Sequence, residues 1–219
     1  MNKIRTLVRF IVESAVTGEQ ATSNELALVR QKEGHVIVYV LYDPRAVNQF
    51  IESSDYPKMN LSPHLDNMVY GFLAVQPHEG GCWDASEIKN AAAKQGYGPL
   101  VYDLAMSDSN GIMPDRISVS KDAQNIWQFY AKKRSDVSRK KFDDFNEPKT
   151  EESNDDCTLV DDPTDTLNYA YDGGTNVSSY KAKLLLTHDR FSEETKISKK
   201  QVENLLLTLG REFFRKKYD

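Results

Sequence analysis

Apolar positions recur with two different periods along this chain, and the switches between them set out the expected elements. Over residues 1–16, Ile4, Leu7, Val8, Ile11 and Val12 fall on one helical face with Lys3, Arg5 and Arg9 off it, which predicts a short basic amphipathic helix. Two strand-like runs follow, 26–30 and 35–43, joined at hairpin length by 31–34. In the second, Val36, Val38 and Val40 alternate with Ile37, Tyr39 and Leu41, so both faces are apolar and the strand belongs inside a sheet. Asp43-Pro44 stops it, 45–52 reads as a helix, and the proline-containing 53–63 is irregular. Residues 68–75, MVYGFLAV, predict a further strand, and 86–93 a short helix for which Asp84 is the better cap.

Beyond that point Leu100, Val101, Leu104 and Ala105 take helical spacing, with Pro99 suited to the first helical turn. A strand-sized unit at 111–115 leads to a helix over 120–133, with Ser118 or Ser120 as cap and Asp122 in its first turn. Strands are expected at 167–171 and 181–187. The clearest helix closes the chain over 198–217: Ser198 can cap it, Val202, Leu205, Leu206, Leu209 and Phe213 form one stripe, and Arg211, Arg215, Lys216 and Lys217 load its negative end. It either covers the sheet or packs against another copy of the protein. The order predicts an α/β (α+β) fold with a mixed, mostly antiparallel central sheet flanked by helices. Its parts are an N-terminal helix (1–18), one domain (19–197) and a C-terminal helix (198–219).

Composition changes this picture in three places. The longest apolar run, residues 36–42, is strand-sized, against about 20 residues for a membrane-spanning helix, and Arg9 and Glu13 break the N-terminal run that a secretory signal would need. Two cysteines, Cys82 and Cys157, make neither a disulfide framework nor a zinc site, so a reducing cytoplasm is the simplest home. A net charge of −5 argues against a nucleic-acid platform over the whole surface. The charge is also uneven. Lys132, Lys133, Arg134, Arg139, Lys140 and Lys141 cluster at the end of one helix, where they read as a solvated helix end ahead of a site for ribose phosphate or nucleic-acid backbone. Residues 143–165 then carry ten acidic side chains against one lysine, and read as a flexible or extended insertion within the domain.

The candidate chemistry centres on residues 91–106, AAAKQGYGPLVYDLAM. Gly96 and Gly98 open into a helix, an arrangement in which backbone amides can approach an anion and the helix dipole favours it; the other reading is a loop with glycine punctuation. Strand, G-x-G loop, helix, short strand and second helix together resemble the GNAT superfamily of acyl-CoA N-acyltransferases, over residues 65–135. In the family pattern R/Q-x-x-G-x-G/A, Gly96 and Gly98 match the small positions, while Ala93 stands at the basic or Gln position beside Lys94 and Gln95. The family helix N-x-x-A-x-x-x-Y is similar to the stretch from Ser120 through Ala123 to Trp127, so the tyrosine position holds Trp127 and the nearest hydroxyl is Tyr130.

The resemblance implies that coenzyme A or acetyl-CoA is held by Lys94, Gln95, Gly96, Tyr97 and Gly98 and aligned by strand backbone at Phe72, Ala74 and Val75. A small-molecule or protein amine would attack the thioester directly, with Tyr130 as acid and His78 or Glu79 as base. His78-Glu79 in a glycine-rich loop reads equally as solvated, Cys82 as filler and Trp83 as packing. Asp115-Arg116 reads as a pair fixing its turn ahead of a ligand contact. No P-loop, H-E-x-x-H, C-x-x-C or nucleophile-elbow motif occurs. The N-terminal helix resembles those of some tailed-phage virion proteins. That implies a second reading, a non-enzymatic structural component assembling through its terminal helices, in the host cytoplasm or the virion. A third reading, an acyltransferase acting on nucleic acid, needs the basic cluster to face a substrate groove.

Overall fold

The computed structural model describes residues 15–53, 60–173 and 177–218, so the helix expected over 1–16 lies almost wholly outside the described residues. The start of the described chain is not helical: Thr17 is the cap of α1 (Gly18–Ser23), its hydroxyl accepting from the Gln20 amide while the Gln20 side chain accepts from the Thr17 amide. Strands β1 (Ala27–Glu33) and β2 (Val36–Tyr42) form the expected hairpin. The Asp43 carboxylate then caps α2 (Pro44–Glu52), and the one-turn α3 (Leu65–Met68) leads into β3 (Val69–Gln76). A single turn at Cys82–Asp84 precedes β4 (Ser86–Ala93), which is followed by α4 (Gly98–Met106), β5 (Ile112–Met113) and α5 (Lys121–Lys133). The rest comprises β6 (Val137–Lys141), the short β7 (Asp143–Asp144) and β8 (Asp156–Cys157), β9 (Tyr169–Gly173), and the long helices α6 (Val177–Glu194) and α7 (Lys199–Tyr218).

Seven strands make one sheet in the order β1-β2-β3-β4-β5-β9-β6, antiparallel throughout except between β4 and β5. Helices cover both faces, as the hydrophobic pattern predicts. On one face, Leu100, Val101 and Leu104 of α4, Trp127 and Tyr130 of α5 and Leu184 of α6 bury against the sheet. On the other, Val47 and Phe50 of α2 and Val202, Leu206, Leu209 and Phe213 of α7 do the same. A Cβ on Gly210 would stand 2.7 Å from the Phe72 ring and 2.9 Å from Val40, so α7 seats this closely only because position 210 has no side chain.

Five expectations are corrected. Residues 86–93 are a strand, because β3 along most of their length and β5 at Ser86 and Glu87 give their backbone partners that a lone alanine-rich helix would supply internally. Residues 181–187 belong to α6, whose buried positions Val177, Leu184, His188 and Phe191 keep helical spacing over a longer window than the three leucines suggest. Arg139, Lys140 and Lys141 lie in strand β6 and not at a helix end, with β9 supplying the ladder. The acidic stretch has defined structure: the Asp143 carboxylate accepts from the amides of Lys149 and Thr150, that of Asp162 accepts from the amides of Thr164 and Thr166, and β7 pairs with β8. Finally, Cys82 and Cys157 are joined in a disulfide, Cα to Cα 4.8 Å, which ties that stretch to the turn before β4. The cysteine count therefore gives no support to a reducing compartment.

Candidate functional site

The two parallel strands pair at Ser86 with Ile112 and Glu87 with Met113, the whole length of β5; beyond it β4 runs on without a strand on that edge. A cavity of about 650 Å³ opens there. Residues 88–93 of β4 form one wall, Asp115 and residues 118–120 after β5 another, and Lys94, Gln95, Gly96, Gly98 and Pro99 the end nearest α4. The helices contribute Asp122, Ala123, Asn125, Ile126 and Trp127 of α5 from one side of the sheet, and Phe214, Lys217 and Tyr218 of α7 from the other.

The glycine loop takes the form that close approach of a ligand needs. Gly96 has φ +86°, a conformation any side chain would strain, and its carbonyl accepts from the Val16 amide at 2.9 Å. Lys94 is fixed by its amide to the Tyr70 carbonyl at 2.9 Å and by its ammonium over the Tyr70 ring at 3.3 Å; burial holds its pKa below the usual lysine value. No side chain caps α4; Pro99 has no N–H and the Val101 amide donates to the Tyr97 carbonyl at 3.2 Å, so of the first turn it is Gly98 that brings an amide to the cavity lining.

At the narrow end, where β4 and β5 meet, four charged residues interlock. The Lys89 ammonium donates to Glu87 Oε1 at 2.7 Å and to Asp115 Oδ2 at 3.2 Å. Burial alone would lower its pKa, but the two carboxylates outweigh that and raise it. Lys89 falls at a bulge: Ala74 pairs with Asn90 and Val75 with Ile88, leaving no β3 partner between them. Asp115 Oδ1 accepts from the amides of Ile117 and Ser118, and these bonds with Lys89 hold its pKa low against the upward push of burial. Arg116 donates to the Pro114 carbonyl, Asn168 and the Leu167 carbonyl, and its amide donates to Glu87 Oε1 at 2.6 Å. Asp115 and Arg116 thus fix their turn, as expected, and Asp115 lines the cavity as well. Glu87 and Lys89 were not legible as site residues, because their meeting depends on the parallel pairing of β4 with β5.

The other expected site residues are scattered. Lys94, Gln95, Gly96 and Gly98 line the cavity; Tyr97 does not, its ring packing edge-on to Tyr70 at 5.0 Å. Phe72, Ala74 and Val75 are buried in β3, one strand behind the wall, and the strand that borders the cavity is β4. Tyr130 is 1% exposed, with its hydroxyl 2.9 Å from the Pro99 carbonyl and 2.6 Å from Asp103 Oδ1. Burial, reinforced by Asp103, pushes its pKa well above the usual value, so it is neither placed nor poised to protonate a leaving group in the cavity. His78 and Glu79 sit in the β3–β4 connection, at the opposite end of β4 from the glycine loop and outside the lining.

One feature of the wall comes from the last turn of the chain. Lys217 Nζ donates to the Ala93 carbonyl at 2.8 Å, and the Tyr218 hydroxyl donates to the Ala91 carbonyl at 3.0 Å. These carbonyls belong to the edge of β4 beyond its pairs with β5. Among the described residues no group of histidine, cysteine or acidic side chains could hold a metal ion, and no helix is long and apolar enough to cross a membrane. No protein-family model matches the chain, and no curated protein or solved structure is similar to it.

Proposed function

We propose that the chain is an acyl-CoA-dependent N-acyltransferase of GNAT-like fold, transferring an acyl group, most simply acetyl, to an amine. The observation that carries this reading is the cavity along the edge of β4 beyond its two pairs with the short β5, closed at its far end by a glycine loop and an uncapped helix start. That geometry suits an elongated ligand with an anionic end and amide groups along its length. Of the amides around Gln95–Gly98, those of Gln95, Gly96 and Gly98 would meet the pyrophosphate, and the open edge of β4 would pair with the amide-bearing arm. A volume of about 650 Å³ lies within the range of small-molecule sites. The fit needs one change in the protein, because Lys217 and Tyr218 hold the β4 carbonyls that such an arm would use. The amine then attacks directly, and positioning supplies much of the rate.

The acceptor amine enters near the apex, between the residues following β5 and the β4 bulge. That same occupation of the β4 edge, with Tyr130 buried, favours the second reading: a non-enzymatic assembly component on the same scaffold, working through its terminal helices. Of the two locations considered, host cytoplasm and virion, the Cys82–Cys157 bond favours the virion, since disulfides are rare in a reducing cytosol.

Titration calorimetry with coenzyme A and acetyl-CoA separates the two readings. A Cβ on Gly98 would come within 3.1 Å of Ile126, so Gly98→Leu narrows the cavity at the loop without forcing a positive φ. Saturable binding by the wild-type protein that weakens at least about tenfold in a folded Gly98→Leu variant, a cost of roughly 1.4 kcal/mol, is the expected result. Absence of binding by the folded wild-type protein would leave the assembly reading.

A further inference from the structure

Three lysines line the cavity among the described residues, and their settings differ. Lys94 lies over the Tyr70 ring at the loop end, and Lys217 is directed at the Ala93 carbonyl. Lys89 alone stands at the apex, about 13 Å from Ala93 along the strand at the usual rise per residue. An ammonium has three protons. Glu87 and Asp115 take two, and neither carboxylate is loose: Glu87 Oε1 also holds the Arg116 amide, and Asp115 Oδ1 holds two further amides. The group is thus positioned by Glu87 of β4 and by Asp115 just after β5, it has no third acceptor among the described residues, and Lys89 is one of the residues that line the cavity.

We infer that Lys89 is a catalytic residue, donating a hydrogen bond to the oxygen of the reacting thioester carbonyl and stabilising the negative charge that grows there; this rests on the acyltransferase reading above. In the step, the amine nitrogen attacks the carbonyl carbon, the C–N bond forms and the C–S bond breaks. The electron pair leaves with sulfur, and the amine's surplus proton passes through water to the thiolate. Lys89 keeps its own proton throughout, as its raised pKa requires. It therefore supplies preorganised positive charge and not proton transfer. Such a role suits a site in which the tyrosine expected as acid is sealed inside the core.

The test is isotope-edited infrared spectroscopy of carbonyl-labelled acetyl-CoA bound to the full chain. The thioester carbonyl stretch is expected at lower wavenumber when bound to the wild-type protein than in water, returning most of the way in Lys89→Met and remaining low in Lys89→Arg. Release of thiol from acetyl-CoA is expected to fall about 100-fold in Lys89→Met, the loss typical of removing one donor to a developing oxyanion, and by more than its affinity for acetyl-CoA falls. A bound carbonyl with no shift in the wild-type protein, or the same shift in Lys89→Met, overturns the role of Lys89 and leaves the acyltransferase reading intact. If Lys89→Met does not fold, Lys89→Gln, a weaker donor, takes its place: a stretch between the wild-type and free values is expected, and one at the wild-type value overturns the role. Absence of acetyl-CoA binding overturns both.

Discussion

Between the Pro99 carbonyl and the Asp103 carboxylate, the Tyr130 hydroxyl tethers α5 to the first two turns of α4, and Arg134 completes the arrangement with two bonds to Asp103 at 2.9 and 3.0 Å. Removing that hydroxyl tests structure and not chemistry. Tyr130→Phe is expected to lower stability in urea unfolding by about 1–2 kcal/mol, the usual loss for one buried hydrogen bond, and under the acyltransferase proposal acetyl-CoA affinity and turnover stay at wild-type values. A selective fall in turnover would restore Tyr130 to the site. A second residue sets a pH dependence. His188 is 5% exposed, its Nδ1 lies 2.8 Å from the Tyr42 hydroxyl, and burial lowers its pKa to about 4, with Asp189 opposing the shift and Lys199 adding to it. Above the unfolded value near 6.5 both states are neutral and His188 has no effect. As pH falls from about 6.5 towards 4, the unfolded chain takes up a proton that the folded chain refuses, so stability falls, by on the order of 3 kcal/mol. Unfolding in urea at pH 7 and pH 5 should show about 2 kcal/mol of this loss, and His188→Gln should remove most of the difference between the two.

At the scale of elements, sequence pattern served where an element buries a periodic face against one neighbour. Strands β2 and β3 and helices α5 and α7 stand within a residue or two of their expected bounds because valine alternation, a serine cap or a leucine stripe encodes them locally, whereas β1 runs three residues past its expected end, through the connection expected at 31–34. It failed where the partner decides. Residues 86–93, SEIKNAAA, have helical propensity and become a strand only because β3 and β5 flank them, and half of the cavity wall moved with that misreading. The glycine loop was legible from its residue types; the Glu87–Lys89–Asp115 apex and the reach of α7 into the cavity were not, since each joins segments distant in the chain. That reach carries its own prediction. Lys217 and Tyr218 compete with any ligand for the Ala93 and Ala91 carbonyls, so Lys217→Met with Tyr218→Phe removes two competing hydrogen bonds while keeping bulk against Phe214. At about 1 kcal/mol for each, affinity for coenzyme A in calorimetry should rise about thirtyfold under the acyltransferase proposal. Unchanged affinity would mean that the ligand does not use this edge.

Across the whole molecule, the acidic stretch is held by long-range ties and not by a core of its own. The backbone at 80–84 has positive φ at five consecutive positions, three of them the non-glycine residues Cys82, Trp83 and Asp84 at 51°, 56° and 52°. Left-handed geometry at such residues costs roughly 1–2 kcal/mol each, so the turn persists only where its surroundings fix it. They do so from the acidic side: the Trp83 amide donates to the Asn154 carbonyl at 2.6 Å, the Trp83 indole donates to the Lys141 carbonyl at 2.9 Å, and Cys82 is bonded to Cys157. The crosslink joins residues 75 apart, and a closed loop of that size corresponds to about 4 kcal/mol of denatured-state entropy. Cys82→Ser with Cys157→Ser is therefore expected to lose about 4 kcal/mol in urea unfolding, less whatever strain the freed turn releases, and reductant should bring the wild-type protein to the same value. Coenzyme affinity should hold in the folded double variant, because the bond lies before β4 and the glycine loop after it. A wild-type protein whose unfolding ignores reductant would show that the two thiols do not pair in solution, and the ties through Trp83 would then have to hold the turn alone.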